Sequence, residues 1–241
     1  MLKPTIWLYW ENKPGQSDPP LVQRCKEIFK QYNNIIMLNE QTIKQYVNLI
    51  DCDQVSILAY KGDYYRAKLL AEYGGIWFDM DSILLDDFGD VYRRLENSNF
   101  EMCAEYLKGC CAPAVLLFKP KSIIAQQWSQ YCEKMILSGK YLKEDDWGKL
   151  SGYALGKIIR ENNCSDKVMK LPSQYIFSLG YENRSYMNYY SMNEGYINEQ
   201  LQQIKIQGAK VITLYGTFMY NLPIPNQCLL ERMEEMAKNV R

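Results

Sequence analysis

The sequence predicts an α/β domain in which a central, mostly parallel mixed sheet is flanked by helices. Three observations predict it. Short β-branched and aromatic runs alternate with apolar residues at helical spacing, the pattern of strands joined by helical crossovers. A helical pattern ends on Gly74-Gly75 and leads directly into the apolar run Ile76-Trp77-Phe78. The 241 residues are 47% hydrophobic, enough to bury a sizeable core in one domain spanning 1–241.

Taken in order, residues 5–10 (TIWLYW) read as a first strand and residues 11–18 as a polar loop. Pro19-Pro20 suits the first turn of a helix capped by Ser17 or Asp18, with Leu21, Val22, Cys25, Ile28 and Phe29 on its buried face. Residues 34–38 predict a second strand. A second helical pattern follows from Asn39 through Ile43, Tyr46 and Val47. The spacing of Tyr65, Leu69, Leu70 and Ala71 predicts a helix over 62–73 ahead of the glycine pair and the buried strand 76–79. Further strands are expected at 100–106, 114–118 and 210–215, and helices at 122–137 and 145–161. The tail, 227–240, sets Leu229, Leu230, Met233, Met236 and Val240 on one helical face, which predicts a helix packed on the domain or lying on a membrane surface.

Composition removes several classes of function. Lys+Arg and Asp+Glu are both 28, and no basic tail or cluster suggests a nucleic-acid partner. The opening apolar run is short for a signal-peptide core, and no stretch has the length of a membrane span, so a cytoplasmic chain is expected. Eight scattered cysteines in a chain of this size predict free, mostly buried thiols. The absence of histidine removes imidazole as a general base and the usual Ser/His and Cys/His nucleophile pairs.

Asp79 and Asp81 close the buried strand. Two carboxylates two residues apart at the carboxyl end of such a strand can project together into the crevice where open α/β sheets bind ligands. They suit Mn²⁺ or Mg²⁺, which keeps its other positions for water and substrate phosphates. Asp-x-Asp alone is a weak signal among twelve aspartates, and Asp51-Cys52-Asp53 repeats it. That second pair follows no strand and reads as a solvated helix cap. Haloacid-dehalogenase-like phosphatases also carry Asp-x-Asp after an apolar strand, with the first Asp as nucleophile, but near the start of the chain.

The segment Asp63-Tyr64-Tyr65-Arg66, followed at fixed distance by Gly74-Gly75-Ile76-Trp77-Phe78-Asp79-Met80-Asp81, resembles the donor-binding segment of family 32 glycosyltransferases. The opening Pro4-Thr5-Ile6-Trp7-Leu8-Tyr9-Trp10-Glu11 resembles the start of their capsular polysaccharide synthesis subgroup. The resemblance implies a GT-A fold and a metal-dependent, retaining transfer of a hexose-type sugar from a nucleotide-diphosphate donor, UDP favoured. It implies a saccharide or lipid-linked saccharide acceptor, which would be met at the inner face of the cell membrane. Carried over by position, Trp10 stacks on the base, Asp63 and Arg66 hold the sugar and diphosphate, Asp79 contacts ribose or sugar and assists the metal, and Asp81 ligates it. Asp145, with Asp146 beside it, stands where the family often has an acidic residue near the sugar, although a helix N-cap serves equally.

On this reading residues 1–90 form the nucleotide-sugar and metal-binding half and 91–241 the acceptor-side half. Related enzymes complete the metal site with a late histidine, so a residue near 215–221, or water, has to serve. The tyrosine-rich stretch 181–196 could line an acceptor groove or form a surface helix or loop. A non-catalytic sugar-binding descendant is the reading outside enzymes, yet it would have no need of all four polar residues.

Overall fold

The computed structural model describes residues 3–53, 55–107, 109–139, 148–180, 187–214 and 219–239. In chain order its first elements are β1 (Ile6–Tyr9), α1 (Pro20–Phe29), β2 (Ile35–Leu38), α2 (Leu58–Tyr73), β3 (Gly75–Phe78) and β4 (Ser82–Leu84). There follow α3 (Gly89–Glu96), β5 (Met102–Leu107), β6 (Cys110–Phe118), α4 (Ile123–Ser138), α5 (Gly152–Glu161) and β7 (Val168–Lys170). The last are β8 (Ile176–Phe177), α6 (Glu194–Gln207), β9 (Val211–Thr213) and α7 (Leu229–Asn239). They group into two compact units, one of Met1–Glu11, Ile36–Phe78 and Gly89–Leu171, the other of Asn12–Ile35, Asp79–Phe88 and Pro172–Arg241.

The first unit is built on a mixed six-stranded sheet in the order β2-β1-β3-β6-β5-β7. β1 and β3 run parallel, β6 is antiparallel to both β3 and β5, and β7 is parallel to β5. The carboxyl ends of β1, β3, β5 and β7 therefore share one edge of the sheet. Helices α2, α4 and α5 pack together and on β3 and β6. The core there joins Trp7, Tyr64, Leu69, Trp77, Met102, Phe118 and Trp128. Gly74 and Gly75 explain how β3 enters. Both have positive φ, 62° and 93°, which costs glycine little. A Cβ on Gly74 would strike the backbone of residues 118–120, and one on Gly75 would lie 2.6 Å from the Thr5 carbonyl. The pair thus lets β3 slot between its two neighbours, and the Trp7 indole N–H locks it by donating to the Gly74 carbonyl at 2.8 Å.

The second unit carries a three-stranded sheet, β4-β9-β8, with β4 antiparallel and β8 parallel to β9. Helices α1 and α7 pack on β4 and on each other, and α6 packs on α7. Leu229, Leu230, Met233 and Ala237 of α7 are buried within this unit, so the packed-helix expectation for the tail holds and its apolar face is not left for a membrane. Among the described residues no helix is long and apolar enough to cross a membrane.

Several local expectations are corrected. Helix α1 starts with Pro19 at the cap position, and Asp18 instead accepts from Asn12 and pairs with Lys26. After Asn39 only one 3₁₀ turn forms, Ile43–Gln45, because the Asn39 side chain caps Gln41 and Thr42 and no apolar stripe extends it. Asp51 accepts from the backbone N–H of Asp53, closing an Asx turn rather than capping a helix. Of the tyrosine-rich stretch 181–196, residues 181–186 lie outside the described residues, while Tyr189 and Tyr190 are core residues: the Tyr189 hydroxyl donates to the Thr213 carbonyl, so neither of these two rings lines a groove. All eight cysteines are free thiols.

Candidate active site

At the carboxyl end of β1, strand alternation sends Trp7 and Tyr9 into the helix-covered core, while Trp10 remains half-exposed beyond the strand. The backbone of Trp10 is fixed by its N–H bond to the Leu38 carbonyl, 3.0 Å. Next to it, the Glu11 carboxylate accepts from the N–H of Glu40, whose own carboxylate pairs with Lys61 at 3.1 Å and meets the Tyr65 hydroxyl at 3.5 Å. The ring of Tyr9 packs edge-on against Tyr65, and among the described residues its buried hydroxyl has no hydrogen-bond partner. Burial, with the Tyr65 and Glu11 charges next, drives the Tyr9 pKa far upward and keeps that hydroxyl protonated.

Asp63 and Arg66 share one face of α2, as their spacing predicts, and form a direct ion pair. The pair is deep: Asp63 is 8% and Arg66 4% exposed. The Arg66 guanidinium also donates to the Pro113 carbonyl, 2.6 Å, and sits 5.2 Å from the Trp77 ring centroid and 6.0 Å from that of Trp128. These contacts fix the guanidinium plane from three directions.

In the second unit, Asp79 follows the last residue of β3 and Asp81 precedes β4. Met80 between them is buried, 3% exposed, whereas Asp79 and Asp81 are each half-exposed. The Asp81 carbonyl accepts from the N–H of Leu214, 3.0 Å, and Ser82 pairs with Thr213. The chain leaving β9 is thereby tied to Asp81 just before residue 215. Among the described residues no cluster of three or more His, Cys, Asp or Glu side chains could hold a metal. Two carboxylates two residues apart are nonetheless the donor type that suits Mg²⁺ or Mn²⁺, ions that retain several waters and bind substrate phosphate. Asp145 and Asp146, and residues 215–218 of the expected third-ligand stretch, lie outside the described residues.

The structure thus joins Asp63 to Arg66 in an ion pair, while Asp79 and Asp81 flank the buried Met80 as half-exposed residues. Sequence reasoning missed Glu105. It is a half-exposed carboxylate on β5, at an irregularity between Ala104 and Tyr106. Its only sequence signal is a charge inside an otherwise apolar strand.

Solved structures of similar fold are glycosyltransferases. The apo form of glycosyltransferase GlyE of Streptococcus pneumoniae TIGR4 aligns over 98% of this chain and 60% of its own, with 16% identity and a TM-score of 0.51. The apo structure of WbbM, a bifunctional glycosyltransferase, aligns over 98% of this chain and 50% of its own, with 10% identity and a TM-score of 0.54. At such identities the likeness establishes the fold, a GT-A fold, and the chain spans half to three fifths of these structures' length. No curated protein matches the chain. The sequence profile of capsular polysaccharide synthesis proteins matches residues 1–138, well over half of the 241. With its Gly74-Gly75-bounded β3 and the carboxylates that follow, this chain belongs to the capsular polysaccharide synthesis protein family.

Proposed function

We propose that the chain is a metal-dependent, retaining glycosyltransferase that moves a hexose-type sugar from a nucleotide-diphosphate donor, UDP favoured, to a saccharide or lipid-linked saccharide in capsule or surface-polysaccharide synthesis. The observation that carries this reading is the half-exposed pair Asp79 and Asp81 around buried Met80, in a chain of this family and fold. Asp79 and Asp81 would hold Mn²⁺ or Mg²⁺, which when bound offsets the charge that develops on the leaving diphosphate. Trp10, its backbone held by Leu38, would offer a half-exposed indole as a platform for the base. The buried Asp63–Arg66 pair would present a rigid carboxylate to sugar hydroxyls and a preset guanidinium to the diphosphate.

Asp145 would lie near the sugar, residues 1–90 would form the donor half and 91–241 the acceptor half of one catalytic domain. The third metal position would fall to water or to a residue of the stretch 215–221. Transfer would pass through an oxocarbenium-like state with attack on the face the diphosphate leaves. The reaction would take place in the cytoplasm, at the membrane's inner face where the acceptor is lipid-linked.

The test is release of nucleoside diphosphate from UDP- and GDP-hexoses with Mn²⁺. One donor should be turned over, and Asp81→Ala or a chelator should lower the rate at least about a hundredfold. Metal-dependent donor binding without turnover would make the chain a sugar-binding descendant, and phosphate release from phosphomonoesters a phosphatase.

A further inference from the structure

Strands β5 and β6 pair regularly from Met102 opposite Phe118 to Ala104 opposite Leu116, and resume with Tyr106 opposite Cys111. Glu105 alone therefore faces residues 112–115. Such an irregularity re-aims a side chain and is common beside active sites. Met102 and Ala104 belong to the core under α2, α4 and α5, and Tyr106 packs against it, so Glu105 is turned to the opposite face of the sheet. By the same alternation Trp10 lies on that face, since Trp7 and Tyr9 point into the core.

The strand directions put Glu105 and Trp10 at the same edge, the carboxyl ends of β5 and β1. Their order along that edge is informative. β1 is next to β3, whereas β5 stands two strands beyond it on the other side, about 10 Å away at ordinary strand spacing. If the base lies at Trp10 and the diphosphate beyond the end of β3, a donor continuing in that direction brings its sugar, and then the acceptor, toward Glu105.

The surroundings of Glu105 fit a sugar. Across the irregularity stand Ala112 and Ala114, both half-exposed and small, which leaves room for a ring to approach, while the Pro113 ring and carbonyl are taken up by α5 and Arg66. Among the described residues no donor or cation meets its carboxylate, and burial alone raises its pKa. A lone carboxylate is a poor cation site and repels phosphate, but its two oxygens can accept from adjacent hydroxyls. We propose that Glu105 binds a pyranose, its carboxylate accepting hydrogen bonds from sugar hydroxyls at the carboxyl edge of the sheet. The proposal rests on the transferase reading and adds to it a residue that selects the sugar.

The experiment uses the full chain, with Glu105→Gln and Glu105→Ala, Mn²⁺, UDP, a panel of UDP- and GDP-hexoses, and methyl hexosides as acceptors. Both variants should bind UDP within about twofold of the parent and unfold at the same or a higher denaturant midpoint, since no protein contact is lost. Each should lose about ten- to a hundredfold in kcat/KM, the size of a hydrogen bond to a charged group. A deficit in donor hydrolysis without acceptor assigns Glu105 to the transferred sugar. A deficit confined to the KM of the methyl hexoside assigns it to the acceptor. Parent-like constants for both in both variants overturn the role of Glu105 and leave the transferase standing. A parent chain that neither turns over any donor nor binds any hexoside, by saturation-transfer NMR, overturns both.

Discussion

Asp63 and Arg66 form a buried ion pair that serves the fold whatever ligand the site takes. Pairing offsets the cost of burying either charge, and removing one partner leaves the other exposed to the full cost. The Asp63→Ala variant should therefore lose about 3 kcal/mol of stability, read as a lower midpoint in urea, while Asp81→Ala, at a half-exposed turn, should change stability by less than about 1 kcal/mol. A loss of activity in Asp63→Ala thus needs correction for unfolded protein, and one in Asp81→Ala does not. Sequence spacing placed Asp63 and Arg66 on one helix face. It could not show their depth, because that depends on Trp77 and Trp128, which reach the guanidinium from β3 and α4.

Elements were legible where a local signal was strong. The glycine pair marked the end of α2 and the start of β3, and Ser122 caps α4 through the N–H of Ala125. They were illegible where tertiary contacts decide. Helix α6 buries only Ile197 and Ile204, β4 is three residues long, and the start of α5 depends on β6. At Gly156 of α5 a Cβ would run into the Gly109 carbonyl, so Gly156→Ala should cost about 1–3 kcal/mol in spite of alanine's better helix propensity. At Gly139, with φ of 63° and open space around it, alanine meets only backbone strain of about 1 kcal/mol. Denaturation midpoints of the two variants check the order.

The segment after β4 makes a pH-dependent contribution. Lys210 bridges the Asp86 carboxylate at 2.5 Å and the Asp87 carbonyl at 2.9 Å. Burial pushes the Asp86 pKa up, but the Lys210 hydrogen bond and the Asp87 N–H outweigh it and hold it below the usual 3.8. A depressed acid stabilises the fold above its unfolded pKa and loses that contribution as pH falls through the folded value. Asp86→Asn should therefore cost up to about 1 kcal/mol at pH 7, the range of a pair whose carboxylate is half exposed, with the difference from the parent closing as pH falls through the depressed folded value.

At the scale of the whole molecule, the sequence foretold an α/β fold but not that contacts divide the chain into units of three stretches each. The long-range pairings β1 with β3 and β4 with β9 leave no trace in local periodicity. The cysteines test both units at once. Cys52, Cys103, Cys111 and Cys132 are buried in the first and Cys25 and Cys228 in the second, while Cys110 and Cys164 are partly exposed. Burial pushes the Cys52 thiol up to about 11 and those of Cys103 and Cys111 up to about 12, and raises Cys25 and Cys132 well above the ordinary value. Only thiolate reacts, so at pH 8 these buried groups are protected by both access and protonation. Titration of the native protein with a chromogenic disulfide should show two fast thiols, Cys110 and Cys164, and all eight only in guanidinium. Substituting both with serine should abolish the fast phase, and a third fast thiol would mean that one of the two cores opens readily in the native protein.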